Sequence, residues 1–288
     1  MTAKSRLGVI LPVFNEMERL PAHLISLNEW GDMAHEILLV DSDSTDGSVE
    51  YIQRHYRHKN LKVIHAPKGL YLSWNQGIEQ LTSEWCYIST IGDLIERQNL
   101  ERLLEVGRET QVDVVVTPPR FCGMADDSYK DKKWPPHHLM ADWSPDEVRI
   151  FSETDLMRTA LFFGFRDTPL HSLLGSCASC LFKTMVLQTN PFPLNYGRSG
   201  DTAWAMINAA KMRIAFYNRS VASFHVHYQE SLHFMEIMRF QIRLAEDVIA
   251  EAPLQHKRLY QKWFQTWLRR GWVGLQSPFS KVITKKRF

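Results

Sequence analysis

Short apolar runs alternate along the chain with stretches whose apolar positions recur every three or four residues, and the alternation continues to residue 117. The runs at residues 7–13, 36–40, 62–66, 85–89 and 113–117 predict strands, and the periodic stretches at 19–29, 47–54, 73–81 and 97–110 predict helices. Strands that alternate with helices imply βαβ units and a parallel sheet. Five strands joined by four crossovers form a doubly wound half-domain, and ligands of such sheets bind beyond the carboxyl ends of the strands.

The texture changes from residue 118 to 145, where Pro118, Pro119, Pro135 and Pro136 stand among mixed charges, Gly123 and His137–His138. A loop of that length is expected to be a functional excursion. Ser144, Pro145, Asp146 and Glu147 read as a helix start, with serine at the cap and proline in the first turn. Short elements follow, including strands at 178–182 and 214–217. Beyond Ser231, the spacing of Phe234, Ile237, Met238, Ile242, Ala245, Val248 and Ile249 predicts an amphipathic helix over residues 232–251, ended by Pro253. The expected organisation is a domain over residues 1–230, with a nucleotide-binding half at 1–117 and an acceptor half at 118–230, and a helical extension at 231–288.

Composition narrows the class. The 288 residues are 44% hydrophobic and 23% charged, ordinary values for a folded globular chain. The net charge of +2 hides an asymmetry: residues 256–288 hold nine Lys or Arg and no acid, so the rest of the chain is net acidic. In that tail Trp263, Phe264, Trp267, Leu268 and Trp272 interleave with Lys262, Arg269 and Arg270. Such a pattern suits a helix lying in a membrane interface and equally a helix packed on the domain with solvated charges. Nucleic acid is not expected as a partner, since no other part of the chain supports it.

Four cysteines are too few for a disulfide framework in a chain this long, and the Cys177–Cys180 pair lacks a second CxxC or a nearby His, which disfavours zinc. Lys4 and Arg6 before residues 7–14 imitate a signal peptide, but Pro12 interrupts the run and Asn15 ends it early. No stretch reaches the ~20 apolar residues of a membrane span. The expected location is the cytoplasm, with peripheral attachment to the inner face of a membrane through the tail.

The chemistry-bearing residues fall at the ends of the predicted strands. The first strand ends Leu11-Pro12-Val13-Phe14-Asn15-Glu16, presenting an amide and a carboxylate where a base and ribose could be gripped. The second ends Val40-Asp41-Ser42-Asp43-Ser44-Thr45-Asp46-Gly47. Helix capping accounts for Ser44 and Asp46 but does not need Asp41.

This pairing, on consecutive strands and at this spacing, resembles the inverting glycosyltransferase family 2. A third match follows, in which Lys68-Gly69-Leu70 and Trp74-Asn75-Gln76-Gly77 resemble the family's glycine loop leading into an asparagine-glycine helix. The resemblance implies a GT-A fold, that is, a Rossmann-like, doubly wound, mostly parallel α/β sheet, here with a C-terminal helical extension. It also implies a nucleotide pocket lined by Pro12, Asn15, Glu16, Asp41 and Asp43, with Lys68, Gly69 and Asn75 near the diphosphate. Asp43 stands where the family usually has Gly, and Trp74 where many members have Arg, so Lys68 is the candidate for the missing positive charge.

The family keeps an Asp-x-Asp metal motif after its fourth strand, and this chain reads Ser89-Thr90-Ile91-Gly92-Asp93. Two readings follow. Asp93 binds Mg2+ or Mn2+ alone, with Thr90, water and phosphate oxygens completing the shell, or the site is metal-poor and silent. Downstream, Asp201 in Gly200-Asp201-Thr202 resembles the family's general base at the start of the acceptor-side helix, although locally it would also serve as a cap. Ser179-Cys180-Leu181-Phe182-Lys183 resembles the small-residue strand ahead of that base and gives Cys180 a packing role.

His225 and His227 would face one way on a strand. The resemblance makes them candidates to complete the metal shell, with His227 preferred because it lies closer to Ser231. Two partly buried structural histidines are the competing reading.

The expected reaction is transfer of a sugar from a UDP- or GDP-linked donor to a hydroxyl of a glycan or glycolipid, with inversion. The rival is a silent nucleotide-binding or scaffolding subunit of a glycan assembly system. A nucleotidyltransferase would need a glycine-rich signature with Arg and Lys after the first strand, and the sequence lacks it.

Overall fold

A computed structural model describes residues 6–122, 133–152, 155, 174–225, 234–252, 254, 257, 258, 261 and 265. It contains two compact units, Met1–His233 and Phe234–Phe288.

The first unit is built on strands β1 (Leu7–Val13), β2 (Ala34–Asp41), β3 (Leu61–His65) and β4 (Trp85–Ile88). Helices α1 (Leu20–Trp30), α2 (Ser48–His55), α3 (Leu70–Gln80) and α4 (Arg97–Thr110) punctuate them. The four strands run parallel in the order β3-β2-β1-β4. Helices cover both faces, so these strands read as near-continuous apolar runs rather than as alternations. Val9, Leu11 and Val13 point into the core shared with Leu20, Leu24, Leu27 and Trp30 of α1. On the opposite face Gly77 lets α3 lie directly on the sheet, because a Cβ there would come within 2.7 Å of Val40 and 2.9 Å of Ile10.

The later strands complete the sheet in a way that sequence order does not suggest. Strand β9 (Cys180–Lys183) is antiparallel to both β4 and β6 (Val114–Val116) and wedges between them. Strands β10 (Ile214–Tyr217) and β8 (Val148–Phe151) extend the sheet, giving the order β3-β2-β1-β4-β9-β6-β10-β8. A second, three-stranded sheet is formed by β5 (Leu94–Ile95), β11 (Ala222–His225) and β7 (Arg120–Cys122) in the order β5-β11-β7. Short helices α5 (Pro135–Leu139) and α6 (Thr184–Thr189) precede α7 (Gly200–Asn208).

One expectation is overturned. Residues 144–147 do not start a helix. Glu147 accepts the Ser144 N–H at 2.8 Å, and Asp146 takes a left-handed φ of 62°. These residues make a turn into β8, which pairs antiparallel with β10. The same capping chemistry closes the turn, and Val148, Ile150 and Phe151 favour the strand that follows.

The second unit holds α8 (Phe234–Glu251), an 18-residue helix. Among the described residues no helix is long and apolar enough to cross a membrane. The aromatic and basic positions 262–264, 267–270 and 272 lie outside the described residues.

Candidate active site

The strand ends converge because parallel register brings them level. Val13 pairs with Asp41, and Asp41 with His65. Pro12, which has no N–H to give, falls beyond the last β1–β4 pair, Ile10 with Ile88. After β1 the chain turns through Asn15 at φ 53°, and after β2 through Asp43 at φ 60°. The left-handed conformation accounts for glycine being usual at position 43, and Asp is among the few other residues that tolerate it. Asp43 itself is exposed.

Hydrogen bonds stitch the two loops together. Asn15 N–H donates to Ser44 Oγ (3.1 Å), Thr45 N–H to Asn15 Oδ1 (2.8 Å), Glu16 N–H to Ser48 Oγ (3.0 Å) and Met17 N–H to Asp46 Oδ2 (2.9 Å). Asp41 is buried beneath them. Its Oδ1 accepts the Ser44 N–H at 3.1 Å, and its Oδ2 lies 3.4 Å from Nδ1 of His65. Beside this floor Phe14 leaves 45% of its surface exposed, with Lys68 Nζ 5.1 Å from the ring centroid. Sequence reasoning passed over Phe14. Its signal is an apolar residue that continues a buried strand past its last sheet pair, where burial no longer explains it.

At the end of β4, Ser89 N–H reaches Ile10 O (2.8 Å) and the chain turns at Gly92, whose φ is 99°. The turn delivers Asp93, a buried carboxyl whose Oδ1 accepts the His225 N–H at 2.7 Å. Burial pushes its pKa up to about 7, against the pull of that hydrogen bond and of the Arg19 charge. A Cβ on Gly92 would lie 3.5 Å from both Arg19 Cδ and His225 Cβ, so Arg19, Gly92, Asp93 and His225 surround one spot. Arg19 is ion-paired with Glu16, and desolvation raises the Glu16 carboxyl despite that pairing. Arg19 was not among the expected site residues, because a cation at a helix start carries no motif. Underneath, His23 Nε2 sits 3.0 Å from Ser89 Oγ, and burial lowers its pKa to about 4, so the ring is neutral.

The structure thus joins Asp93 to His225, while His227 lies outside the described residues. Among the described residues no three His, Cys, Asp or Glu side chains gather as a metal cluster. The donor set around Asp93 fits a divalent ion only if substrate oxygens supply most of its shell, which magnesium tolerates.

Further along the chain, a 3-10 turn (Leu194–Ser199) leads into α7. Asp201 stands in the first turn of that helix, and its Oδ1 accepts the Thr202 N–H at 2.7 Å. Burial raises the Asp201 carboxyl, opposed by Thr202 N–H and by the hydroxyl of Tyr71. Asn75 commits both ends of its amide to the Phe192 backbone, at 2.8 and 2.9 Å. Trp74 is buried edge-on to Phe192 and Tyr71. Lys68 beside Phe14 and Arg19 beside Gly92 bring positive charge to these strand ends, and the buried Trp74 brings none. Gly69 caps α3 at φ 151°.

The charges of Asp201 and Asp93 add to the burial that raises the Cys177 thiol. Burial raises the Cys177 and Cys180 thiols far from thiolate formation, and Cys180 Sγ contacts the carbonyls of Leu174 and Ser176 at 3.3 Å.

Known proteins resemble this chain in sequence and in fold. The profile of "Glycosyl transferase family 2" matches residues 8–174, more than half of the chain. The SPbeta prophage-derived glycosyltransferase SunS of Bacillus subtilis (strain 168) is 31% identical over 114 residues, which are 38% of this chain and 26% of SunS. The uncharacterized glycosyltransferase YibD of Escherichia coli (strain K12) is 28% identical over 126 residues, 42% of this chain and 36% of YibD. The chain thus matches about a quarter to a third of the length of these relatives.

Among solved structures, S. aureus TarS 1-349 in complex with UDP superposes with a TM-score of 0.63 at 17% identity, over 98% of this chain and 75% of TarS 1-349. The mannosyltransferase PcManGT from Pyrobaculum calidifontis, in complex with GDP-Man and Mn2+, gives 0.52 at 18% identity, over 90% of this chain and 69% of that one. Together with the strand-end chemistry, these matches show that the chain belongs to glycosyl transferase family 2 and has the GT-A fold.

Proposed function

We propose that the chain transfers a sugar from a nucleotide diphosphate sugar to a hydroxyl of a glycan or glycolipid, with inversion. The observation that supports this reading is a pair of carboxyls raised by burial, Asp93 at the turn after β4 and Asp201 in the first turn of α7, in a chain of this family. Phe14 offers a face on which a base stacks, and Asp41 accepts hydrogen bonds from the base or ribose. Lys68 and Arg19 offset the diphosphate. Asp93, with His225 or His227, would hold Mg2+ or Mn2+, which supplies charge neutralisation of the departing diphosphate when bound.

Asp201 then takes the proton of the acceptor hydroxyl as that oxygen bonds to the anomeric carbon. The bond from that carbon to the diphosphate oxygen breaks on the opposite side, and nucleoside diphosphate leaves with the electron pair. The residual elevation of the Asp201 pKa suits a base, since it brings proton affinity closer to working pH.

The test is equilibrium binding of UDP and GDP with and without manganese, followed by release of nucleoside diphosphate from a panel of sugar donors. Binding together with release upholds the reading, and absence of both overturns it. The lone aspartate of the metal motif favours a second reading, a nucleotide-binding subunit without turnover. Its signature is tight binding with no release from any donor. The basic, aromatic tail supports attachment to an anionic membrane surface on the cytoplasmic side. Co-sedimentation of the full chain with phosphatidylserine vesicles, compared with phosphatidylcholine vesicles, checks this.

A further inference from the structure

The proposed base does not stand alone. Tyr71, on α3 of the nucleotide-binding half, is buried, and its hydroxyl donates to the carbonyl of Arg198 at 2.9 Å. The Asp201 carboxylate and the Asp201 backbone N–H also interact with that phenol. The ring is fixed from several sides. It stacks on Phe192 at 5.5 Å, and Phe192 is itself held by the amide of Asn75. It lies so close to Gly200 that a Cβ there would come within 2.5 Å of two ring carbons. A glycine immediately before Asp201 is what lets the ring lie against the start of α7.

A phenol has one hydrogen, and here two acceptors border it. We propose that Tyr71 is a positioning residue for Asp201, its hydrogen turning to the carboxylate when Asp201 is ionised and to the Arg198 carbonyl once Asp201 has taken the acceptor's proton. The inference rests on the reading of Asp201 as the base. No bond is made or broken at Tyr71: its O–H rotates, and the new carboxylic O–H donates to the phenol oxygen. Each protonation state of Asp201 therefore keeps a hydrogen-bonding partner in a site where an unsatisfied polar group would be costly. Burial keeps the phenol protonated throughout. Among the described residues, Cys177 and Cys180, ahead of and on β9, also feel Asp201 and are held protonated by burial, so they do not compete. The arrangement joins the two halves of the domain, because the glycine loop that leads into α3 is only two residues from the phenol.

Tyr71→Phe keeps the ring packing and removes only the hydroxyl. With a donor that the wild type turns over, the acid limb of the pH–rate profile rises by about one pH unit, because a hydrogen bond to the carboxylate has been lost. The dissociation constants for UDP and GDP stay within about twofold. The same rise is read without turnover by 13C NMR of aspartate-labelled protein, with Asp201→Asn identifying the Asp201 carboxyl signal. An unchanged acid limb and an unchanged carboxyl titration in Tyr71→Phe overturn the inference, and the phenol is then only packing. A wild type that turns over no donor, or an Asp201→Asn variant that turns over normally, refutes the functional reading instead, and the NMR titration still decides the role of Tyr71.

Discussion

Replacing Asp93 with Asn tests the electrostatics of the turn after β4 through stability. The carboxyl is buried, and its pKa moves from 3.8 to about 7 on folding. A raised folded-state value means that the native protein holds the proton more tightly than the unfolded chain. The stabilisation is complete below the unfolded value and is lost as pH rises through 7. Above pH 7 the native state must bury a carboxylate, and a shift of about three units corresponds to a ceiling of ~4 kcal/mol. Asn retains an oxygen for the His225 N–H and never ionises, so the stability of Asp93→Asn relative to the wild type is expected to grow by about 2–3 kcal/mol between pH 5 and pH 8. In melting temperature the gain is at most about 10 °C for a domain of this size.

The assay is thermal unfolding of both proteins from pH 5 to 8 in EDTA, since a bound cation would lower the carboxyl's pKa. The subtraction also removes His23, which acts in the opposite direction. Its value of about 4 costs stability as pH falls below the ordinary 6.5, equally in both proteins. A difference that does not grow between pH 5 and 8 would falsify the assignment of a desolvated, proton-retaining Asp93.

Asp201→Asn should cut turnover by about 10²–10⁴-fold, the usual worth of a general base, while UDP and GDP binding by calorimetry stays nearly unchanged. Phe14→Ala should weaken nucleotide binding by about tenfold, within the ~1–3 kcal/mol of one base–aromatic stack, and equal affinity in a titration would remove Phe14 from the site. Arg19→Gln should weaken UDP and GDP more than the corresponding nucleosides, since only the diphosphate meets that charge; parallel losses would place Arg19 elsewhere. Gly77→Val should lower stability by about 1–3 kcal/mol in urea unfolding, because its side chain would overlap Val40 and Ile10.

The sequence by itself determined the first half of the fold, because its information there is local. Strands β1 to β4 and helices α1, α2 and α4 fall within about two residues of the apolar pattern. Asp41 was legible for the same reason, since a polar residue that ends a buried strand stands out, whereas Asp93 was found through its resemblance to the family's motif. The start of α3 came three residues early because Tyr71 packs against Phe192 and Gly200, partners more than a hundred residues away. Only the tertiary structure inserted β9 antiparallel between β4 and β6, since an apolar strand shows no preference for a partner until the sheet has an open edge. Only the fold brought Arg19 to Gly92, His23 beneath Ser89 and Tyr71 to Asp201. Arginine at a helix start, a histidine on an apolar face and a tyrosine after a glycine loop are common in any chain, and what gives them chemistry is the neighbour that folding supplies.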